Sequence, residues 1–386
     1  MLDLSQIVPD IQAMGAEARR RGGKAAEALS LALKQARMGD EAWAEAVERM
    51  QGVKPPWLVA ACKQGAPSAV CGLPGQAPES YTALATDGSQ IPLDRHAPAP
   101  CFLLNVGEIA LHYGTGERPH LASQAKLYYK DDDLYAGKPE AQTVVSEKQI
   151  ATKRLLAESD ALAALIGEHG DRHAVALADD PLILVFADQR ESEREQKAVI
   201  EQFCQMLTVA ENNSVPIAGY VSRPAHRDVV GALRLTLCAQ NCDHAADSAC
   251  HALAHLTDAQ MFHALLTSPG DRSPIFGSAA RSLDLYPERQ KISFFYLNVG
   301  QEIARVEVPH WVAEAPDLRD QLHLLCFDQA RKGQGYPICL AEAHERAVVR
   351  GPEREAFGRL VENAFVRERL PLLQTRKAVA KRTRIL

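Results

Sequence analysis

Two acidic residues follow apolar stretches that are typical of strands. Asp87 closes the stretch YTALATD, and Asp188 closes the stretch LILVFAD. Continuous apolar runs of this length predict buried strands, so both carboxylates are expected at strand ends. In α/β sheets, ligands gather at the carboxyl ends of the strands. The two aspartates therefore indicate a binding or catalytic site at that edge of a sheet.

Glu158 and His344 are predicted on helices, each on an apolar face. The helical neighbours of Glu158 include only one charged residue, Arg154, and those of His344 are Leu340, Ala341, Ala347 and Val348. A polar group aimed inward needs a partner or a metal ion. Converging carboxylates with an imidazole suit Mg²⁺ or Mn²⁺, which activate water and stabilise both oxygens of a phosphodiester displacement.

Each of these residues also has a structural interpretation. Asp-Gly-Ser after a strand is usually a turn, and Asp188 before a polar segment is typical of a helix cap. Glu158 can pair with Arg154 at (i, i+4) spacing. A lone histidine on an apolar helix face is more often a satisfied core residue than a ligand.

Composition narrows the class of protein. The chain has 386 residues, 46% hydrophobic and 24% charged, with a net charge of −6. This balance argues against a passive nucleic-acid coat, although an enzyme that holds metal ions needs carboxylates. The sequence has no signal-peptide pattern and no apolar run of membrane-spanning length, so we expect a cytoplasmic protein with no membrane contact. The 9 cysteines are spread widely and predict free thiols.

The chain divides by pattern into four parts. Residues 1–65 read as a helical N-terminal arm, 66–80 as a Pro/Gly-rich linker, 81–370 as the main domain and 371–386 as a basic tail. The main domain has two predicted hairpins, a strand-helix-strand unit around Asp188 and a mostly helical insertion at about 228–282. The fold class is therefore α/β with a mixed central sheet.

Six sequence blocks, in order, carry a family resemblance. They are ATDGSQ, LILVFADQRES, IAGYVSRP, GDRSPIF, FFYLNVGQEIARVEVPHWV and GYPICLAEAHERA, between about Tyr81 and Val349. In this order they resemble the NurA nuclease family. The resemblance implies a ribonuclease-H-like core, a homodimer, Mn²⁺-dependent (or Mg²⁺-dependent) degradation of DNA and a partnership with a HerA-like hexameric translocase that processes DNA ends in double-strand break repair.

The resemblance also implies roles for residues. Asp87 matches the first metal-binding aspartate, Asp188 the aspartate of the second strand motif, His344 the late histidine and Tyr336 the tyrosine before it. Glu158 matches the helix carboxylate, with Glu147 as the alternative. We expect two metal ions, bridged by Asp87. The second motif lacks the usual glycine, since Gln189 follows Asp188, which makes activity less certain than metal binding.

Two further groups of residues suggest ligands. Cys238, Cys242 and Cys250 could hold zinc or an iron–sulfur cluster, although their spacing lacks paired C-x-x-C motifs. Arg223 and Arg272 could contact the DNA backbone, with ordinary surface arginines as the alternative. Two other functions stay open: an inactive ring-shaped DNA-end clamp or translocase adaptor, and a different phosphoryl-transfer enzyme with Asp87 as nucleophile.

Overall fold

The computed structural model of the protein describes most of the chain. The described residues are 3–38, 43, 57–63, 65–94, 99–137, 142–170, 173–186, 193–238 and 249–370. The predicted basic tail, 371–386, therefore lies outside the described residues, as do Asp188, Gln189 and Cys242. Among the described residues, no helix is both long enough and apolar enough to cross a membrane.

The elements alternate between strands and helices. The strands are β1 Ala60–Cys62, β2 Tyr81–Ile91, β3 Phe102–Tyr113, β4 His120–Tyr128, β5 Tyr135–Ala136, β6 Thr143–Val144, β7 Val175–Ala178, β8 Ile217–Val221, β9 Phe276–Ser278, β10 Ile292–Asn298 and β11 Ile303–Pro309. The helices are α1 Val8–Ala36, α2 Asp131–Leu134, α3 Glu147–His169, α4 Glu193–Asn212, α5 Asp228–Thr236, α6 Asp258–Leu265, α7 His310–Glu314, α8 Pro316–Lys332, α9 Ile338–Ala347 and α10 Gly351–Arg367.

The chain forms two compact units. The first unit contains Met1–Ala77, Asp180–Ala187 and Ala218–Tyr336, and the second contains Pro78–Asp179, Asp188–Ile217 and Pro337–Leu386. The N-terminal segment therefore belongs to the same unit as residues 218–336. This division differs from the arm and single main domain expected from the sequence pattern. It arises because α1 packs against α5 and α6, which the sequence pattern alone does not pair with it.

The second unit contains a mixed sheet in the order β7-β2-β3-β4. Strands β2, β3 and β4 are antiparallel neighbours, and β7 is parallel to β2 after the intervening helix α3. Three antiparallel strands followed by a helix and a fourth strand beside the first is the ribonuclease-H-like order. The predicted α/β class with a mixed sheet is confirmed.

The first unit contains an antiparallel sheet in the order β1-β9-β10-β11-β8. Its core gathers aromatic side chains from the sheet and from α6 and small residues from α1, among them Phe276, Phe294, Phe262, Ala32 and Ala36. Strand β1 falls in the stretch that was predicted to be a helical arm. The three residues of β1 pair with β9, and this pairing outweighs the helical composition around them.

Most predicted elements are confirmed, with one clear exception. Both hairpins form, as β2–β3 and β10–β11, and α4 has the predicted bounds. The strand predicted over LILVFAD is wrong in its described residues, 182–186, which form no strand. Its backbone groups bond to buried side chains instead: the Ile183 N–H donates to Glu307 and the Leu184 N–H donates to Tyr286.

Candidate active site

Asp87 lies inside strand β2, not at its end. The strand continues to Ile91, and Asp87 pairs across the sheet with Gly107. The prediction that Asp87 closes its strand is therefore wrong, because Gly88 and Ser89 continue the ladder in place of forming a turn. The Asp87 side chain folds back on its own strand: Oδ1 accepts the Gly88 N–H at 2.8 Å. This contact fixes one carboxylate oxygen and leaves the other for a partner.

His344 is that partner. Its Nδ1 lies 2.8 Å from Oδ2 of Asp87, although the two residues are 257 positions apart in the chain. The His344 side chain is 57% exposed and that of Asp87 is 17% exposed. The expectation that His344 points into an apolar face is therefore wrong. Its helix buries Ala343 and Ala347, and the histidine stands beside that buried face within reach of solvent.

Strands β2 and β3 hold helix α9 in the position that makes this contact. A Cβ on Gly107 would lie 2.4 Å from the Ala343 carbonyl oxygen, so the helix backbone rests directly on β3. Asn105 donates to the Ala347 carbonyl oxygen at 2.7 Å, and the Ser89 hydroxyl donates to the same atom. These side chains satisfy a carbonyl at the helix end, where no intrahelical donor is available.

Glu158 lies against the strand at the residue after Asp87. A Cβ on Gly88 would lie 2.2 Å from Glu158 Oε1, so only glycine leaves room for this carboxylate. Glu158 is 8% exposed, Arg154 Nε is 3.2 Å from Oε1, and the Thr86 hydroxyl donates to the Glu158 carbonyl oxygen at 3.0 Å. The expected buried carboxylate with an (i, i+4) arginine is present.

The alternative helix carboxylate, Glu147, occupies a different place. It is the first residue of α3 and is exposed, in the turn closed by the capping box of Ser146 and Gln149. Eleven residues of helix separate it from Glu158, which is about 16 Å along the axis. The geometry therefore favours Glu158 over Glu147 as the carboxylate beside Asp87.

The register of β7 points to an aspartate that the sequence reasoning missed. Thr86 of β2 pairs with Ala178 of β7 in parallel, so the next residues along the two strands are Asp87 and Asp179. Asp188 was assigned this position because the longer run LILVFAD was taken as the strand. The short apolar run VALA, followed at once by acids, was the signal that could have identified Asp179. Asp188 lies outside the described residues, and its role stays a prediction.

The other predicted residues occupy the first unit. Tyr336 is half-buried, with its ring in an edge contact to Tyr220 at 5.7 Å between centroids. Arg223 is 88% exposed and lies 3.2 Å from Glu302. Arg272 is buried, donates to the Ser273 carbonyl oxygen and lies 5.7 Å from the Phe295 ring. Such burial does not favour contact between Arg272 and a DNA phosphate; both arginine roles stay predictions.

The cysteine group is only partly described. Cys250 is buried, and the Cys238 thiol donates to the Arg234 carbonyl oxygen at 3.5 Å. Cys242 lies outside the described residues. Within the described part of the chain, no three His, Cys, Asp or Glu side chains are arranged as a complete metal site. Zinc or iron–sulfur binding by these cysteines stays a prediction.

The donors around β2 fit a hard divalent cation in their chemistry. Asp87 and Glu158 supply carboxylate oxygens from opposite faces of β2, and Glu158 Oε1 occupies the space that a Cβ on Gly88 would fill. Oxygen ligands are those that Mg²⁺ and Mn²⁺ prefer, and Mg²⁺ usually keeps several waters. An ion here would therefore be held by a few side chains, completed by water or by a phosphate. Before an ion is bound, Arg154 offsets part of the negative charge of Glu158.

This arrangement defines an α/β protein with carboxylates and an imidazole gathered on the central strand of a ribonuclease-H-like sheet. The family model described as the NurA domain matches residues 81–349, well over half of the chain. The chain belongs to the NurA domain family, and this membership supports a nuclease. Comparison with curated proteins finds no match.

Solved structures show a distant likeness. The crystal structure of the NurA nuclease from Sulfolobus solfataricus is 13% identical, with a TM-score of 0.48, over 78% of this chain and 88% of that chain. A crystal structure of NurA bound to dAMP and manganese is 8% identical, with a TM-score of 0.42, over 98% of this chain and 99% of that chain. A third, a crystal structure of NurA, is 10% identical, with a TM-score of 0.37, over 75% and 90%.

Proposed function

We propose that this protein is a metal-dependent DNA nuclease that hydrolyses phosphodiester bonds. The observation that supports this most directly is the cluster on β2: Asp87 bonded to His344, with Glu158 packed over Gly88. One manganese-bound NurA structure is known, and we extend divalent-metal use to this chain on the chemistry of its own donors. The working form is a homodimer that acts on DNA ends, for double-strand break repair in the cytoplasm, with a HerA-like translocase.

We assign the metal-binding role to Asp87, Glu158 and Asp179; because the described residues contain no ready-formed group of three such side chains, metal binding would draw these carboxylates together. Asp179 replaces Asp188 in this proposal because it directly follows β7, whose last residue, Ala178, pairs in parallel with Thr86, the residue before Asp87. The expectation of two ions is kept. When bound, the ions supply an activated water and offset the charge that develops on the leaving 3′ oxygen. The donors fit this role because carboxylate oxygens are the preferred ligands.

The protein's own side chains would fix the orientation of the Asp87 carboxylate and supply a proton to the leaving oxygen. Asp87 is held at both oxygens, by the Gly88 N–H and by His344, so its carboxylate has one fixed direction. His344 is largely exposed and can exchange a proton with solvent while it remains bonded to Asp87. We propose that it carries the proton that the leaving oxygen requires. The proton would be carried by Nε2, since Nδ1 faces Asp87, and this role replaces the metal-ligand role predicted for His344.

The proposal also gives roles to Tyr336 and to one of the two arginines. We assign Tyr336 a catalytic role because the family resemblance implies one. Arg223, exposed and in a left-handed backbone conformation with φ of 46°, is the better placed of the two arginines for contact with the DNA backbone. Elemental analysis of the purified protein tests the separate cysteine site.

The proposal is tested by digestion of end-labelled linear DNA with Mn²⁺ or Mg²⁺. Asp87→Asn and Asp179→Asn should each reduce the rate by about 100-fold or more, because each removes a carboxylate that would hold the divalent ion. Asp188→Asn is the matched comparison and should retain most of the activity. Equal rates for wild type and Asp87→Asn would exclude the proposed chemistry.

The alternatives predict different results in the same assay. If the metal ion binds but no variant or wild-type protein cuts DNA, the DNA-end clamp or adaptor is the better description. If Asp87 becomes covalently phosphorylated during turnover, the protein is a different phosphoryl-transfer enzyme. Digestion with no phospho-aspartate supports the nuclease.

A further inference from the structure

The 3-10 turn Leu4–Ile7 and the first turns of helix α1 that follow it have no cover in the described part of the chain. Every residue from 3 to 16 is exposed, whereas Ala32 and Ala36, further along the same helix, are fully buried in the core of the first unit. Pro9 near the helix start and Asp10 in the first turn favour helix formation there. The segment is therefore a helix that extends from its unit into solvent.

An apolar stripe follows one side of this segment. Leu4, Ile7, Val8, Ile11 and Met14 are between 39% and 66% exposed, at spacings of three and four residues. That spacing places them on a single helix face. An exposed contiguous stripe of large apolar side chains marks a contact surface.

The helix itself also needs a partner for stability. Gly15, Gly22 and Gly23 are among the weakest helix formers, and a Cβ at any of them would meet no atom within 4 Å. Close packing against other described residues therefore does not explain why glycine occupies these three positions. Short isolated helices are marginal in water, and most helical stability in proteins comes from packing of an apolar face.

The sequence of α1 complements itself in the antiparallel direction. Acidic residues Asp3 and Asp10 occupy its beginning, and the basic run Arg19-Arg20-Arg21 with Lys24 follows. We propose that the stripe packs against the same stripe of a second copy of this chain, antiparallel, with Ile11 meeting Ile11. This inference rests on the homodimer included in the proposed function and specifies its contacting surface.

The antiparallel register matches large residues with small ones. With Ile11 at the centre, Leu4 lies opposite Ala18 and Ile7 lies opposite Gly15. Asp3 then faces Arg19. A parallel pair would instead place the arginine run of one copy beside the arginine run of the other, which is unfavourable. The two-fold arrangement is the isologous contact that most homodimers use.

The first test is the mass of the full chain in solution by light scattering. Wild type should be a dimer, and Ile11→Asp should shift the dissociation constant upward by at least tenfold. Leu360→Asp, on α10 and 69% exposed, is the matched control and should remain dimeric. Circular dichroism checks folding of each variant; because residues 3–16 are exposed, none should unfold.

The second test fixes the direction with a short bis-maleimide cross-linker. Ile11→Cys should cross-link to itself, Leu4→Cys should not, and a mixture of Leu4→Cys with Ala18→Cys should. Wild type gives the background from native thiols. If Ile11→Asp is as dimeric as wild type, the proposed contact surface is wrong, although the homodimer itself is retained. A monomeric wild type, or self-cross-linking of Leu4→Cys, overturns the antiparallel pair, and the nuclease assay is unaffected by either result.

Discussion

Gly88 separates two acidic side chains that approach the same strand. Asp87 turns toward helix α9 and His344, and Glu158 occupies the space above the glycine. A larger residue would push Glu158 from the strand, so the glycine is required by its neighbour and not by its own backbone conformation. The motif Asp-Gly-Ser thus lets a helix carboxylate pack against the strand on the face opposite to the Asp87 side chain.

Gly88→Ala should therefore remove activity with little loss of stability. Its Cβ would meet Glu158 Oε1 at 2.2 Å and Arg154 Cγ at 2.9 Å, both in side chains that can move away. We expect DNA digestion to fall about 100-fold, as for loss of one preorganised electrostatic contact. Gly167→Ala, on α3 with no atom within 4 Å of its Cβ, is the control and should keep full activity. Full activity in Gly88→Ala would show that the position of Glu158 is unimportant.

Arg154 gives Glu158 a counter-charge within its own helix. The Nε–Oε1 distance is 3.2 Å, and the arginine side chain is 32% exposed. Solvent screens such a pair, so its contribution to stability is small. Its more important effect is local, because it reduces the repulsion between Glu158 and Asp87 before a cation is bound.

At the scale of elements, two helices bring the site together on opposite faces of β2. Helix α3 begins at the Ser146 capping box and presents Glu158, and helix α9 rests on β3 and presents His344. The close approach of α9 depends on Gly107. The site therefore requires two glycines on neighbouring strands, one for each helix.

Gly107→Ala should loosen helix α9. The new Cβ would lie 2.4 Å from the Ala343 carbonyl oxygen and 2.8 Å from the Ala347 nitrogen, and backbone atoms cannot rotate away. We expect a loss of about 1–3 kcal/mol in the free energy of unfolding, typical of overpacking, and reduced activity because His344 moves with its helix. Urea denaturation measures the first effect.

Gly358→Ala on α10, where no atom lies within 4 Å of the Cβ, provides the comparison. That variant should be slightly more stable than wild type, since alanine favours helix. If Gly107→Ala unfolds at the same urea concentration as Gly358→Ala, the contact between α9 and β3 is not the support that we infer.

Helix α8 contains a buried histidine that makes the first unit sensitive to acid. His323 is 1% exposed, and its Nε2–H donates to the Gly270 carbonyl oxygen at 2.7 Å. Burial lowers the pKa of His323 from 6.5 to about 4. As the pH falls, His323 is protonated near pH 6.5 in the unfolded chain but only near pH 4 in the folded chain. The folded state therefore loses stability relative to the unfolded state between these two pH values.

His323→Gln should flatten that dependence. The wild type should lose about 3 kcal/mol relative to the variant between pH 6.5 and pH 4, from a shift of this size. Near pH 7.5 the variant is less stable, because it loses ring packing against Phe295. Urea midpoints at pH 7.5, 5.5 and 4.5 measure the difference; parallel curves for the two proteins would contradict it.

The sequence predicted elements that local chemistry determines. Both hairpins and the helix of the strand-helix-strand unit, α4, follow from apolar periodicity and turn residues. The failures come from tertiary contacts. Residues 182–184 are buried without forming a strand, because the backbone N–H groups of Ile183 and Leu184 bond to Glu307 and Tyr286. The four residues of β7 are too few to show a periodic pattern, so the sequence did not predict this strand, and Asp179 was not identified as a candidate.

At the scale of the whole molecule, the net charge of −6 has a consequence for DNA. An acidic protein repels the phosphate backbone, and the acidic site on β2 adds to that repulsion. Bound divalent ions reverse the local charge. Metal binding should therefore precede productive DNA binding, which makes the metal-bound state the form that acts on DNA.

Divalent ions should also stabilise the folded chain. An ion that binds only the folded state adds RT ln(1 + [L]/Kd), which is about 2.7 kcal/mol at a hundredfold excess over Kd. We expect Mn²⁺ to raise the melting temperature of wild type by several degrees. Asp87→Asn and Glu158→Gln should lose most of that rise, and Glu147→Gln, exposed at the start of α3, should keep it. Thermal melts with Mn²⁺ and with chelator measure the effect without DNA. If Mn²⁺ raises the melting temperature of Asp87→Asn as much as that of wild type, the ion binds elsewhere than on β2, whatever the digestion assay shows.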